Sequence, residues 1–270
     1  MTTADVHTRP LALVTGASSG IGLELAKQFA QNGFDLLVNS EDAGLETAAA
    51  QLRGMGADVR TVQADLTTAS GVEQVHAAVV MAGRPLDAAA LNAGVGHGGA
   101  FVETDLAAEL DVIALNVTST VHLTRLLLRD MAARDSGRLL ITSSIASTMP
   151  GSFQAVYNAS KSFLQSFAEA LQNELKDTGV TITSLMPGPT DTEFFHRAEM
   201  DDTRVGQSSK DDPEAVAKQG FAALMAGDAK IVAGSLSTKA QGLANAVLPD
   251  SVKAQAHRLM AEPGKATPSS

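Results

Sequence analysis

The sequence predicts an α/β protein built on a doubly wound parallel sheet. Short, continuously apolar runs recur from Leu11 onward, the pattern of strands covered on both faces. Stretches with helical spacing of apolar residues separate them. Strands joined by helices of that length pair in parallel through right-handed crossovers.

The first strand is LALVT, residues 11–15, fully apolar up to its final Thr. After a glycine-rich turn, residues 21–32 read as a helix with Ile21, Leu25, Ala26 and Phe29 on one face, stopped by Gly33. A second strand at 35–39 leads to a helix over 43–55, and a third strand at 58–63 to a helix over 69–81. The fourth strand, 88–92, precedes a long helix over about 105–133. Strand five is 138–143, followed by a helix over 153–175, and strand six is 180–186, ended by Pro187-Gly188. Residues 189–212 break the rhythm and read as a polar lid. A Pro-started helix at 213–226 and a short strand at 230–234 resume it, and 236–262 read as one or two amphipathic helices broken at Pro249. One domain is expected over 1–270, with its core at about 11–234 and the 236–262 helices as a C-terminal extension. The ends, 1–9 and 263–270, read as loose, and no solenoid repeat is evident.

Composition narrows the function. A 44% hydrophobic chain of 270 residues is ordinary for a soluble globular protein. With 30 acids against 20 bases, the formal charge of −10 has the wrong sign for a general nucleic-acid binder. The absence of cysteine excludes disulfides, thiolate catalysis and Cys-ligated zinc. The six histidines, at 7, 76, 97, 122, 196 and 257, never fall within four residues of one another, so no HExxH-type metal site is expected. No apolar run reaches the roughly 18–20 residues of a membrane span, and the opening MTTADVHTRP lacks the apolar core of a signal peptide. The expectation is a cytoplasmic protein with neither nucleic-acid nor membrane partners.

Two motifs carry chemistry. Directly after the first strand comes Thr15-Gly16-Ala17-Ser18-Ser19-Gly20-Ile21-Gly22, leading into a helix. Glycines let backbone approach a pyrophosphate, and a helix N-terminus favours its charge. An ordinary Gly-rich turn is the plain alternative. The second motif is Tyr157-Asn158-Ala159-Ser160-Lys161. Tyr157 and Lys161, four apart on a helix, share one face. A free phenol, pKa about 10, exchanges protons poorly at neutral pH unless a cation lowers it, and Lys161 is expected to be that cation. Ser144, thirteen residues before Tyr157, ends the fifth strand at the edge where open α/β sheets place ligands. Its hydroxyl can hydrogen-bond a carbonyl becoming an alkoxide.

The TGASSGIG spacing resembles the cofactor fingerprint of the short-chain dehydrogenase/reductase family, and the Ser-Tyr-Lys set matches that family's spacing. The resemblance covers about Leu11 to Gly234 and implies a Rossmann-type sheet of about seven parallel strands, a nicotinamide cofactor and catalysis without metal. It assigns Tyr157 as acid/base, Ser144 as the residue polarising substrate, Lys161 as the group that binds the nicotinamide ribose and lowers the phenol pKa, and Asn116 as support for a proton relay. It also implies cofactor contacts by Gly16, Ser18, Ser19, Gly20, Ile21, Gly22, Ser40, Asp65, Leu66, Asn92, Ala93, Gly94, Tyr157 and Lys161, and by Pro187, Gly188, Thr190 and Thr192. Leu91 departs from the family's NNAG. Asp65 could instead cap a helix, and Thr192 a lid helix. Ser143 should point away from Ser144 by strand alternation.

Cofactor choice rests at the end of the second strand. Ser40 stands where NAD users of the family carry Asp, and Glu41 where many NADP users carry Arg. Glu41 and Asp42 should repel a phosphate dianion, so the reading leans to NAD(H) over NADP(H), although Asn39 and Ser40 could still hydrogen-bond a phosphate. Met149, Phe153, Met186, Phe194 and Phe195 are candidates for an apolar pocket accepting a small carbonyl or alcohol, or are plain core. His97 and His196 could reach substrate. Ala- and Leu-rich helices and family habit suggest a homodimer or homotetramer, with the C-terminal extension at an intersubunit surface. The expected activity is hydride transfer between a nicotinamide cofactor and a carbonyl or secondary alcohol. A non-catalytic dinucleotide-binding sensor or scaffold is the alternative.

Overall fold

A computed structural model describes residues 9–265; of the ends expected to be loose, 1–9 and 263–270, residues 1–8 and 266–270 lie outside the described residues. Seven parallel strands form one sheet: β1 (Leu11–Thr15), β2 (Asp35–Ser40), β3 (Val59–Gln63), β4 (Ala88–Leu91), β5 (Gly137–Thr142), β6 (Val180–Pro187) and β7 (Lys230–Ala233). Their order is β3-β2-β1-β4-β5-β6-β7. The order reverses between β1 and β4, and such a switch point opens a crevice at the carboxyl ends of the strands.

Alternation within the apolar strands feeds two cores. Ala12 and Val14 of β1, Leu36 and Val38 of β2, and Leu140 of β5 face one side, against α1 (Gly20–Gln31), α2 (Gly44–Gly54) and α9 (Pro213–Ala226). Leu11 and Leu13, Leu37, and Leu139 and Ile141 face the other, against α3 (Ala69–Met81), α5 (Ser119–Ala133) and α6 (Ala155–Glu174). The first side is pinned by edge-to-face rings: Phe29 lies 5.1 Å from both Phe34 and Phe221, a geometry that adds to simple burial. Helix ends follow their caps. Thr68 accepts from Gly71 N at the start of α3, and Asp212 from Glu214 N and Ala215 N ahead of Pro213 in α9. Gly227, left-handed at φ 75°, closes α9.

Three departures from the sequence reading matter. The helix expected over 105–133 runs from Leu106 to Ala133, as α4 (Leu106–Ile113), a π turn (Ala114–Thr118) and then α5. By length and composition it is apolar enough to cross a membrane, although Glu109, Asp111 and Arg125 interrupt it. Val112, Leu123, Leu127 and Met131 on it are buried within the fold. The lid forms two short helices, α7 (Phe194–Arg197) and α8 (Arg204–Gln207), and Thr190 makes a parallel bridge with Asp211 across its base.

The C-terminal extension folds as α10 (Leu236–Val247) and α11 (Asp250–Ala261) on its own chain. Asn245 Nδ2 donates to Thr148 Oγ1 at 2.9 Å, and Lys253 Nζ donates to the Thr148 carbonyl at 2.9 Å. Ala261 is buried with Phe195, Ala198 and Met200 of the lid. The inner face of the extension thus packs on its own chain. Leu236, Leu243 and Val247 remain exposed on the outer face.

Candidate active site

The glycine turn sits at the switch point. Thr15 Oγ1 accepts from Asn92 N at 3.0 Å and Ala93 N at 3.1 Å, joining the ends of β1 and β4. Gly16 adopts φ +65°, and a Cβ there would lie 2.9 Å from Ala93 Cα. A Cβ on Gly22 would lie 2.0 Å from the Gly16 carbonyl oxygen. Backbone presses on backbone at both positions, so only glycine fits. Ser19, the N-cap of α1, makes no side-chain cap bond, which leaves first-turn N–H groups available to an anion.

A cleft of about 660 Å³ runs from this turn along the strand ends. Every cofactor or catalytic residue expected from sequence lines it except Gly22 and Asn116. Gly22 stands behind the Gly16 carbonyl. Asn116 is fully buried in the π turn, where its Oδ1 accepts from Val95 N at 2.9 Å and its Nδ2 donates to Val95 O at 2.9 Å and Ser160 Oγ at 3.0 Å. It therefore holds the loop after β4 against α6. Asn92 Oδ1 accepts from Thr142 Oγ1 at 3.2 Å, linking β4 to β5. The Asp65 carboxylate accepts from Thr67 N and Thr67 Oγ1 rather than capping α3, whose cap is Thr68. Thr192 Oγ1 accepts from Phe194 N at the start of α7, and its methyl lies against Gly20.

Ser144, Tyr157 and Lys161 meet in the middle of the cleft. Ser144 follows β5, with its Oγ accepting from Ala146 N at 3.1 Å and facing the Pro187 carbonyl at 3.4 Å. Ser143 is committed elsewhere, its hydroxyl donating to Lys161 O at 3.0 Å. Lys161, 5% exposed, extends its Nζ to the Thr142 carbonyl at 3.0 Å and passes 5.8 Å from the Tyr157 ring centre. Burial pushes its ammonium down to about 8. The Tyr157 ring packs on Phe194 at 5.1 Å. Burial pushes its phenol up to about 12, with the Ser144 hydroxyl pulling the other way. The net shift is thus opposite in direction to the lowering expected from Lys161. The two share a helix face, but desolvation dominates and the ammonium is tied to the end of β5.

The pocket beyond this trio is only partly as expected. Met149, Phe194 and Phe195 line it, whereas Phe153 and Met186 do not. Phe153 packs in a satellite cluster beneath Arg258, and Met186 is buried in β6. His97 is outside the cleft lining; His196 faces outward, 2.7 Å from Asp201, which raises its pKa through a hydrogen bond. The histidine that does line the cleft is His257 on α11. Its Nδ1 lies 2.9 Å from the Ser152 carbonyl, and burial lowers its pKa. Leu248 and Met260 of the extension also line the cleft, a contribution that no local pattern announces.

At the outer end of β2, the Ser18 and Ser40 hydroxyls lie 3.1 Å apart, and each donates to Asp42 Oδ2 at 2.7 Å. Asp42 was legible only as an acid beyond the strand; its turn back into the cleft was not.

Residues 10–203 match the family model described as short chain dehydrogenase. A putative ketoacyl reductase of Streptomyces coelicolor is 35% identical over 185 residues, covering 67% of this chain and 71% of that protein. A short-chain dehydrogenase from Sphingobium yanoikuyae in complex with NADPH superposes with a TM-score of 0.77 at 26% identity, covering 88% of this chain and 93% of that one. A short chain dehydrogenase/reductase from Burkholderia phymatum in complex with NAD shares the fold, with a TM-score of 0.80 at 23% identity over 97% of this chain and 98% of that one.

Proposed function

This chain belongs to the short-chain dehydrogenase family, and we propose that it transfers a hydride between a nicotinamide cofactor and a small, largely apolar ketone or secondary alcohol, with Tyr157 as the general acid/base. The convergence of Ser144, Tyr157 and Lys161 in the cleft that begins at the glycine turn carries this reading. The residues fit such a cofactor. Gly16 and Gly22 leave no room for a Cβ at the turn, and at Gly94 a Cβ would lie 3.0 Å from Asn116 Oδ1 and 3.3 Å from Lys161 Nζ. Gly16, Ser18, Ser19, Gly20 and Ile21 would hold the pyrophosphate end, Asp65 and Leu66 the adenine, and Asn92, Gly94, Lys161, Gly188, Thr190 and Thr192 the nicotinamide half. When bound, the cofactor supplies or accepts the hydride.

The chain's own groups handle the proton. A phenol held near 12 keeps its proton at neutral pH, so Tyr157 serves as the acid when a carbonyl is reduced. Ser144 Oγ is placed to hydrogen-bond the substrate oxygen as negative charge grows on it. Lys161, fixed on Thr142 O beside the ring, stabilises the phenolate left behind. Met149, Phe194 and Phe195 give the substrate apolar walls. A sensor that merely binds dinucleotide has no chemical use for all three polar groups.

The finer expectations follow the same reading: a preference for NAD(H), a cytoplasmic setting, and a homodimer or homotetramer. The exposed Leu106, Leu110 and Ile113 on α4 and Phe163 on α6 support self-association. The central test is Tyr157→Phe, assayed on a panel of ketones and secondary alcohols by reduced-nicotinamide absorbance. Turnover is expected to fall by roughly 100-fold or more, with dinucleotide affinity kept. Full turnover in the variant overturns the assignment.

A further inference from the structure

We propose that the substrate carries a hydrogen-bond donor, a hydroxyl or an amide N–H, remote from its reacting carbonyl, and that His257 Nε2 on α11 is the acceptor that reads it; this inference rests on the oxidoreductase reading above. His257 lines the cleft on the wall built by the C-terminal extension. Its Nδ1 lies 2.9 Å from the Ser152 carbonyl oxygen, which can only accept, so the proton of the neutral ring sits on Nδ1. Two further contacts hold the same stretch of chain against α11. Ser152 Oγ donates to Ala254 O at 3.3 Å, and the Arg258 guanidinium lies 5.2 Å from the centre of the Phe153 ring. The imidazole is thus fixed in one orientation and one tautomer. Its two nitrogens point in nearly opposite directions, so Nε2 turns away from the 151–153 loop. Among the described residues, the bond to Ser152 is the only one that engages the ring. Burial lowers its pKa, against an upward pull from the Ser152 bond, which keeps the Nε2 lone pair open at neutral pH.

The surroundings decide what can meet that lone pair. Leu248 and Met260 of the extension, with Met149 beyond Ser144, give this part of the cleft apolar walls. Its cations are already engaged. Lys253 Nζ has three protons, and it faces Thr148 O at 2.9 Å, Asn245 O at 3.4 Å and Asp250 Oδ1 at 2.7 Å. Lys210 Nζ donates to Gly206 O at 2.6 Å and lies 5.2 Å from the centre of the Phe195 ring. A carboxylate or phosphate tail would therefore bring lone pairs against a lone pair, with no free ammonium to offset it. A wholly apolar tail would bury Nε2 without a partner, at the cost of its lost hydration. A hydroxyl or amide N–H supplies the missing proton. The wall thus selects a neutral hydroxy or amido ketone, or the corresponding secondary alcohol.

The test assays the full-length protein, with NADH and with NADPH, on methyl ketones of increasing chain length that end in a hydroxyl, in the matching methyl ether or in a carboxylate. At the chain length that reaches α11, the hydroxy ketone should show a KM roughly tenfold below that of its ether. Its kcat should differ little, because the bond is made in ground and transition states alike. The carboxylate should be the poorest of the three. His257→Asn puts an amide N–H where Nδ1 stood, which keeps a donor for Ser152 O, but it has no atom at Nε2. It should raise the KM of the hydroxy ketone to that of the ether. His257→Leu, which removes both nitrogens, should also abolish the hydroxyl preference and covers the case in which the Asn variant fails to fold. No hydroxyl preference at any chain length, or one that survives in the folded variants, overturns the role of His257 while leaving the enzyme reading intact. A wild type that turns over none of these ketones with either cofactor removes both.

Discussion

Replacing Lys161 by Met should stabilise the fold near neutral pH, and that gain should disappear in alkali. Lys161 is 5% exposed, and burial lowers its ammonium from an ordinary 10.5 to about 8. That difference is equivalent to about 3 kcal/mol of destabilisation whenever the group is charged in both folded and unfolded chains. Methionine removes this cost but also removes the bond to Thr142 O, worth about 1 kcal/mol, so the variant should gain about 2 kcal/mol near pH 7. Because the folded pKa is the lower one, the unfolded chain binds more protons between the two values, and wild-type stability climbs with pH across that window. Above it Lys161 is neutral in both states, so the variant should be no more stable than wild type. Urea unfolding followed by far-ultraviolet circular dichroism, run on both proteins at each pH, isolates the effect because the other titrating groups cancel in the difference. A variant advantage that does not shrink with rising pH, or that is absent near neutrality, refutes the account of Lys161 as a charge held in the interior against its desolvation.

Other outcomes follow from particular contacts. Gly22→Ala places a methyl against the Gly16 carbonyl, so it should cost about 1–3 kcal/mol and weaken NADH binding roughly tenfold; an unchanged melt with full affinity would contradict the backbone contact. Phe221→Ala empties one corner of the Phe29–Phe34–Phe221 cluster and should cost about 3–5 kcal/mol, read by chemical denaturation, with activity per folded molecule unchanged. Asn245→Ala removes the bond from α10 to Thr148, at a cost of about 1 kcal/mol; KM should rise with kcat largely kept, and an unchanged KM would deny α10 a part in shaping the pocket.

Local signals made much of this molecule legible. Continuous apolar runs marked the strands because helices cover both faces of the sheet. Pro213 marked the start of α9, and the glycine turn and the Ser144–Tyr157–Lys161 spacing located the cleft. What stayed hidden depends on contacts distant in sequence. The π turn arises where Asn116 reaches across to the Val95 backbone, yet ALNVT reads as ordinary helix. The docking of α10 and α11 rests on Thr148 and Ser152, about a hundred residues away. Spacing set Tyr157 and Lys161 on one face, but it carries no information about their desolvation, so the direction of the phenol's shift was missed. Apolar character alone did not separate Met149, which lines the cleft, from Met186, which is core.

The phenol at the centre of the site is the chain's single tyrosine, and there is no tryptophan. Any ultraviolet signal from a phenolate therefore originates beside Ser144 and nowhere else. An alkaline difference spectrum would titrate one group in place, and biosynthetic incorporation of fluorotyrosine would give a single NMR line. The sequence in effect places a single spectroscopic probe at the proposed proton donor, free of background from other phenols.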